Sequence, residues 1–315
     1  AGSYYDSTKN GKAPEILLDP KNITVSLTAS TDYLSIDLID PDTLSGTGFG
    51  THAEFLGNGN VVITKPYYGA AYLFNGDTGA LISSIVGSNT NDRVGYGGIV
   101  LLNTNDHFAI SSPYWSYNKG AVTWGSGTVG WSSSTGVVVS SSNSLVGSTN
   151  DDYVGWNLLG SSERNITVLS TGDYVVCSPN LTFYGKDDAG AATLCLNNGS
   201  VNGAVSNLNS YYGLTANDRL GYGGIVDLGS GKYVIVSPYW YYNRGAVTWC
   251  DKTGVYRGSV SMANSLYGGS NPRYIGLYGV FALTNGNYVV CSPWYNNRGA
   301  VVWCNGSNGF PAGAT

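Results

Sequence analysis

The residues of this chain best suited to chemistry are aromatic rings set beside amides and a cation, and the set recurs. Just after a strand-ending proline come Tyr67-Tyr68, Tyr114-Trp115, Phe183-Tyr184, Tyr239-Trp240-Tyr241-Tyr242 and Trp294-Tyr295. Three of these loops close on Asn118-Lys119, Asn243-Arg244 and Asn297-Arg298, each followed by glycine. Flat rings stack on the C–H faces of sugars, while amide and cationic donors take hydroxyl oxygens. The candidate ligand surface is therefore Tyr67, Tyr68, Tyr114, Trp115, Asn118, Lys119, Tyr184, Tyr239, Trp240, Asn243, Arg244, Trp294, Tyr295, Asn297 and Arg298. The same residues serve two other ends: packing between repeats, with Asn-Arg/Lys-Gly building the turn, or a protein–protein patch, where Tyr, Trp and Arg are enriched.

Other chemistries are poorly supplied. His52 and His107 stand alone, without a Cys or Asp at metal-ligand spacing. No Gly-x-Ser-x-Gly elbow opens a helix. A glycosidase needs two facing carboxylates, yet acids do not recur at equivalent inward positions and none follows Asp251. The Asn91-Asp-Arg93 and Asn217-Asp-Arg219 turns read as local salt bridges or Asx turns. The expectation is a non-enzymatic chain with no cofactor and no metal.

These loops sit in a repeated frame. Tyr96-Gly-Gly-Ile-Val … Ser112-Pro-Tyr-Trp … Gly120-Ala-Val-Thr-Trp124 returns as Tyr222-Gly-Gly-Ile-Val … Ser237-Pro-Tyr-Trp … Gly245-Ala-Val-Thr-Trp249, and again from Tyr278 to Trp303. Weaker copies run through Val154–Cys195 and Phe49–Phe74. The landmark prolines Pro66, Pro113, Pro179, Pro238 and Pro293 recur every ~45–65 residues, the size of a propeller blade. Within one unit, Gly98–Asn103, His107–Ser112, Gly120–Gly125 and Val137–Val146 read as four antiparallel strands separated by turn clusters.

The predicted fold is all-β: a five-bladed β-propeller of four-stranded antiparallel blades. Residues 1–32 form an extended arm and 33–315 the propeller, with repeats at about 48–89, 90–148, 149–214, 215–269 and 270–315. The last repeat stops where its fourth strand should begin. Tyr33–Asp40 lies at the same offset from Gly48-Phe-Gly50 as Ile82–Gly87 from Gly95-Tyr-Gly97, so it is expected to donate that strand and close the ring. An open stack of repeats is the alternative.

Composition agrees. The 315 residues include 45 Gly and 25 Tyr but one Met, and only 11% are charged, a mix for short strands and tight turns. A net charge of −5 without a basic stripe argues against nucleic acid. No apolar run is long enough to span a membrane. The chain opens on Ala1-Gly-Ser3, which fits a processed form or an excised fragment.

Of five cysteines, Cys177 and Cys291 share a position on strand two, and Cys195, Cys250 and Cys304 one on strand three. Disulfides Cys177–Cys195 and Cys291–Cys304, with Cys250 left free, would fit an extracytoplasmic protein. Five buried thiols acting as small apolar residues is the other arrangement.

Two resemblances follow from these motifs. The ordered recurrence of strand one, Ser-Pro, loop and Gly-Ala-Val-aromatic, with Phe49-Gly50 and Gly120-Ala-Val122, resembles the FG-GAP blade of integrin-type propellers over about 48–305. The calcium loops of that family are not matched: Gly57–Asn60, Asn103–Asp106, Ser170–Asp173, Gly229–Lys232 and Asn285–Asn287 hold one carboxylate at most. Glu15–Val25, Asn143-Ser-Leu-Val-Gly-Ser148 and Tyr288-Val-Val-Cys-Ser-Pro293 resemble segments of secreted filamentous-haemagglutinin-type adhesins. That resemblance implies a secreted or cell-surface adhesion or carbohydrate-binding module whose partner is a surface glycan or protein. The competing expectation is a structural subunit that contacts other copies through residues 1–30.

Overall fold

The computed structural model describes residues 22–26, 35–42, 47–102, 106–132, 135–156, 165–253, 257–269, 272–293 and 298–309. Two N-terminal strands, β1 (Asn22–Ser26) and β2 (Ser35–Ile39), form a hairpin. Five blade sheets follow. Blade 1 is β3 (His52–Phe55), β4 (Val61–Lys65), β5 (Ala70–Phe74) and β6 (Leu81–Val86). Blade 2 starts with β7 (Gly98–Leu101), β8 (Phe108–Ser112) and β9 (Ala121–Gly125), then runs through β10 (Val137–Val138) to β11 (Ser144–Val146). Blade 3 comprises β12 (Ile166–Val168), β13 (Tyr174–Ser178), β14 (Ala191–Cys195), β15 (Gly203–Ala204) and β16 (Ser210–Tyr212). Blade 4 comprises β17 (Ile225–Gly229), β18 (Lys232–Ser237), β19 (Ala246–Asp251), β20 (Gly258–Ser259) and β21 (Ser265–Tyr267). Blade 5 is β22 (Val280–Ala282), β23 (Tyr288–Ser292) and β24 (Ala300–Cys304). The chain is thus an all-β array of five propeller blades, each an antiparallel meander.

The meander follows from the sequence. The sheets of blades 1 to 3 are covered on both sides by neighbours, so their strands β4, β5, β8, β13 and β14 are buried throughout. Each core lies between blades. Ile85, Ile99 and Ile110 join blades 1 and 2. Leu145, Val154 and Val176 join blades 2 and 3, and Cys177 meets Ile235 between blades 3 and 4.

The predicted fourth strand, Val137–Val146, divides. Its first half, β10, pairs in parallel with β6 of the preceding blade, and only β11 pairs with β9 at home. Blades 3 and 4 repeat this, with β15 on β11 and β20 on β16. One asparagine fixes each division. The Asn143 amide donates to the Val138 carbonyl at 2.9 Å and accepts from the Ser140 N–H and the Ser144 hydroxyl. Asn209 and Asn264 make the same three bonds. Every blade from the second to the fourth therefore carries a short strap that completes the edge of the one before.

Ring closure by the N-terminal strand is not what the structure has. β2 pairs with β1, from Asn22↔Ile39 to Ser26↔Ser35, and not with β24. It packs on blade 1, where Leu38 is fully buried with Phe49, Ile63 and Tyr72. The reason is local: β1 precedes β2 by a few residues, so their pairing closes a far shorter loop than pairing with residues 300–304 would.

The proposed disulfides are also absent. Register places Cys195 opposite Tyr174 and Cys177 opposite Ala192. Cys177 and Tyr174 are an odd number of residues apart, so the two thiols lie on opposite faces of the sheet and in different inter-blade cores. Cys304 faces Tyr288 and Cys291 faces Val301, with the same consequence. All five cysteines are free. The strand-three thiols stand opposite Tyr174, Tyr233 and Tyr288 in register and donate to the carbonyl two residues back: Cys195 to Thr193, Cys250 to Thr248 and Cys304 to Val302. Burial pushes the Cys177, Cys195 and Cys304 thiols up to about 12.

Candidate functional site

The loops after strand two take an unusual conformation in blades 2 and 4. Ser116, Tyr117 and Asn118 have φ of 50°, 60° and 62°, and Tyr241, Tyr242 and Asn243 have 46°, 58° and 63°. Three consecutive non-glycine residues thus turn left-handed, which costs ~1–2 kcal/mol each. The turn is held by Asn118 N–H to the Tyr114 carbonyl and Gly120 N–H to the Trp115 carbonyl, with Asn243–Tyr239 and Gly245–Trp240 as counterparts. Its effect is to separate the aromatic run. Trp240 is buried between blades 3 and 4 and Trp115 packs half-buried between blades 1 and 2, while Tyr117 and Tyr242 stand 81% and 71% exposed.

A buried aspartate fixes each loop from the turn between blades. Asp92 accepts from the N–H groups of Ser88 and Asn89 in its own turn, and from Ser116 N–H at 2.9 Å in the aromatic loop. Asp152 accepts from Ser148, Thr149 and Thr182, and Asp218 from Leu214, Thr215 and Tyr241. Burial raises the Asp152 and Asp218 carboxyl pKa values, opposed by these N–H donors. Buried acidic residues thus recur at equivalent turns between blades, as loop staples. Arg93 lies over the Tyr96 and Tyr114 rings, and Arg219 forms a salt bridge to Asp188 at 3.0 Å, outside its own turn.

The rings form a ladder of edge-to-face contacts along this side of the array. Tyr67 of blade 1 meets Tyr96, Tyr96 meets Tyr114 at 4.9 Å, and Tyr114 meets Tyr153 and Trp156. The series resumes with Tyr222, Tyr239 and Tyr274. Beside Tyr114 opens a cleft of about 650 Å³ walled by Tyr117, Asn118 and Asp151, with Asn89, Asn91 and Asn150 on its rim. Asn118 donates to the Asp151 carboxylate at 2.8 Å.

The structure thus brings Tyr114 and Asn118 into one cleft and sets Tyr239 and Asn243 in the matching loop of blade 4. Tyr67 and Tyr184 are exposed, the latter against Phe183 and Tyr212. Tyr68 lies under the Lys65 ammonium, and Arg244 lies over Tyr241. Lys119 accepts at its carbonyl from Val154 N–H, Arg298 is exposed, and Trp115 and Trp240 face the core. Trp294, Tyr295 and Asn297 lie outside the described residues. Sequence reasoning missed Tyr117; its signal was its place directly before Asn118, the place Tyr242 holds before Asn243. The histidines join blades: His52 Nε2 lies 3.2 Å from the Tyr96 carbonyl, and His107 Nδ1 lies 3.0 Å from that of Asn197.

Solved propellers are similar in outline. A streptogramin B lyase structure gives a TM-score of 0.40 at 9% identity, covering 86% of this chain and 69% of that one. The WD40 propeller domain of Doa1 gives 0.30 at 14%, covering 90% and 74%. BamB from Moraxella catarrhalis gives 0.34 at 11%, covering 90% and 72%. Comparison with curated proteins returns no match. A repeat profile, described as a repeat of unknown function, matches residues 102–156, 168–222, 227–277 and 282–313, more than half of the sequence, and the chain belongs to that family, DUF5650.

Proposed function

We propose that this chain is a non-catalytic recognition module that binds saccharide on its aromatic ladder, in an extracellular or cell-surface setting. One observation carries the reading. Two blades spend backbone strain to lift a tyrosine into solvent beside an asparagine, and strain of this kind gathers at ligand sites. The cleft at Tyr117 supplies what a sugar needs: an open ring face, amide groups from Asn89, Asn91, Asn118 and Asn150, and the Asp151 carboxylate as acceptor. The likeness of the Asn143–Ser148 and Tyr288–Pro293 motifs to adhesin segments supports the setting.

The test is a glycan array with the full chain, Tyr117→Ala and Tyr242→Ala. Binding weakened about tenfold by either substitution, ~1.4 kcal/mol, is the expected result. Absence of any bound glycan, or binding by both variants equal to that of the unsubstituted chain, would end this reading.

A further inference from the structure

The two ends of the array complement one another. The β1–β2 hairpin has the register of strands three and four of a blade. Its pairs Asn22↔Ile39, Ile23↔Leu38, Thr24↔Asp37 and Val25↔Ile36 correspond in order to Ala70↔Val86, Ala71↔Ile85, Tyr72↔Ser84 and Leu73↔Ser83 of blade 1. The hairpin also sits on blade 1 as β6 sits on blade 2. Leu38 and Ile85 are both fully buried against strand two of the following blade, with Ile63 and Ile110. The turn glycine of that blade approaches the hairpin in one case, Gly79 at Ile36, and β6 in the other, Gly130 at Ser83. The hairpin is therefore an outer half-blade.

Blade 5 is the converse. It has strands one to three, and among the described residues β24 has no fourth-strand partner. Its outward face is bare: Phe281 is 56% exposed, Val301 71% and Trp303 58%. The equivalent residues of blades 2 and 4 are covered by the next blade. Val122 and Val247 are buried, Trp124 packs on Gly199, and Trp249 packs on Gly309 and donates to the Gly306 carbonyl. The Gly-Ala-Val-x-Trp motif that builds those covered faces is intact at 299–303.

We propose that this bare face receives a second copy of the chain, head to tail. The second copy's β2 exchanges β1 for β24, in the register Ala300↔Ile39, Val301↔Leu38, Val302↔Asp37 and Trp303↔Ile36, and its first blade covers Phe281, Val301 and Trp303. The register is the one blade 4 uses, where Ala246 faces Tyr267 and Val247 faces Leu266. β2 trades one antiparallel partner for another and stays beside its own blade 1. The gain is the apolar face removed from water, extending an interface the chain already makes between its own blades. Because donor and acceptor surfaces differ, the contact is heterologous and yields rings or filaments.

Sedimentation of the full chain over a wide concentration series should give masses in multiples of 33.1 kDa. Trp303→Glu and Val301→Glu alter side chains already exposed in the single chain, so they should keep its far-UV spectrum and raise the assembly midpoint at least ~tenfold, ~1.4 kcal/mol. Thr24→Pro and Val25→Pro are chosen because one of two neighbours donates across the β1–β2 ladder; the one that does should lower the midpoint. Mixing an Asp37→Cys chain with a Val302→Cys chain should yield a disulfide-linked pair, since directly opposed Cβ atoms lie ~4.5–5.5 Å apart. A single chain at every concentration, assembly indifferent to Trp303→Glu, or no mixed disulfide would overturn the proposal. So would Trp303 shielded from quencher in a monomer, which would mean closure within one chain.

Discussion

The Lys65 ammonium, completely buried beneath blade 1, meets the Asp40 carboxylate at 2.7 Å, and the carboxylate comes from the segment just past β2. The Asp42 carbonyl accepts a second bond from the same ammonium at 3.3 Å. The N-terminal segment thus neutralises a charge that blade 1 could not otherwise bury. Removing the carboxylate alone strands the cation, so Asp40→Ala should cost about 3 kcal/mol in urea unfolding. Lys65→Met combined with Asp40→Ala should regain most of that loss, and equal destabilisation by single and double variants would refute the ion-pair account.

The aspartate staples predict a loop-specific effect. Asp218→Ala leaves the Tyr241, Leu214 and Thr215 N–H groups without their acceptor. The expected cost is about 2 kcal/mol, with Tyr241 N–H losing hydrogen-exchange protection while the β18–β19 ladder keeps it. Protection unchanged at Tyr241 would show that the left-handed turn holds itself.

Thiol chemistry gives a pH prediction. Cys177, Cys195 and Cys304 have folded pKa values raised from 9.0 to about 12 by burial. The unfolded thiols lose protons first, so the unfolded state binds fewer protons between those values and stability falls as pH rises from about 9 towards 12. Below that window these groups contribute no slope. In the folded protein a thiol reagent should find these three inert and modify all five cysteines only in denaturant; rapid labelling of Cys195 would contradict the packing.

A fourth prediction concerns blade 2, where Phe108 faces Gly125 at the position blades 3, 4 and 5 give to Tyr and Cys. An added Cβ at Gly125 would strike the Phe108 ring. Gly125→Ala should therefore destabilise by about 1–3 kcal/mol, and Phe108→Leu should relieve part of it. Full tolerance of Gly125→Ala would mean the ring has room to move.

The blades were legible in the sequence because their signals are local and repeated: Gly-Ala-Val-x-Trp, Ser-Pro and Asn-Gly turns mark strand ends wherever they stand. Strand partners were less so. Val137–Val146 reads as one strand, yet Asn143 divides it between two sheets, and nothing in a linear run says which edge is vacant. The cysteine pairing went astray on parity: Cys177 and Cys195 occupy adjacent strands, but register decides the face. For the ligand loops, residue type pointed to the right segments and missed the geometry. Trp115 and Trp240 look like the best sugar platforms, while three left-handed residues turn them inward and raise Tyr117 and Tyr242 instead.

The straps β10, β15 and β20 bear on how the molecule is made. Each belongs to one repeat and finishes the edge of its predecessor. During synthesis no blade among the first three can be completed until the ribosome has released most of the next one. The nascent chain therefore always trails one open edge, and maturation advances from the N-terminus as a seam drawn shut one repeat behind the growing end.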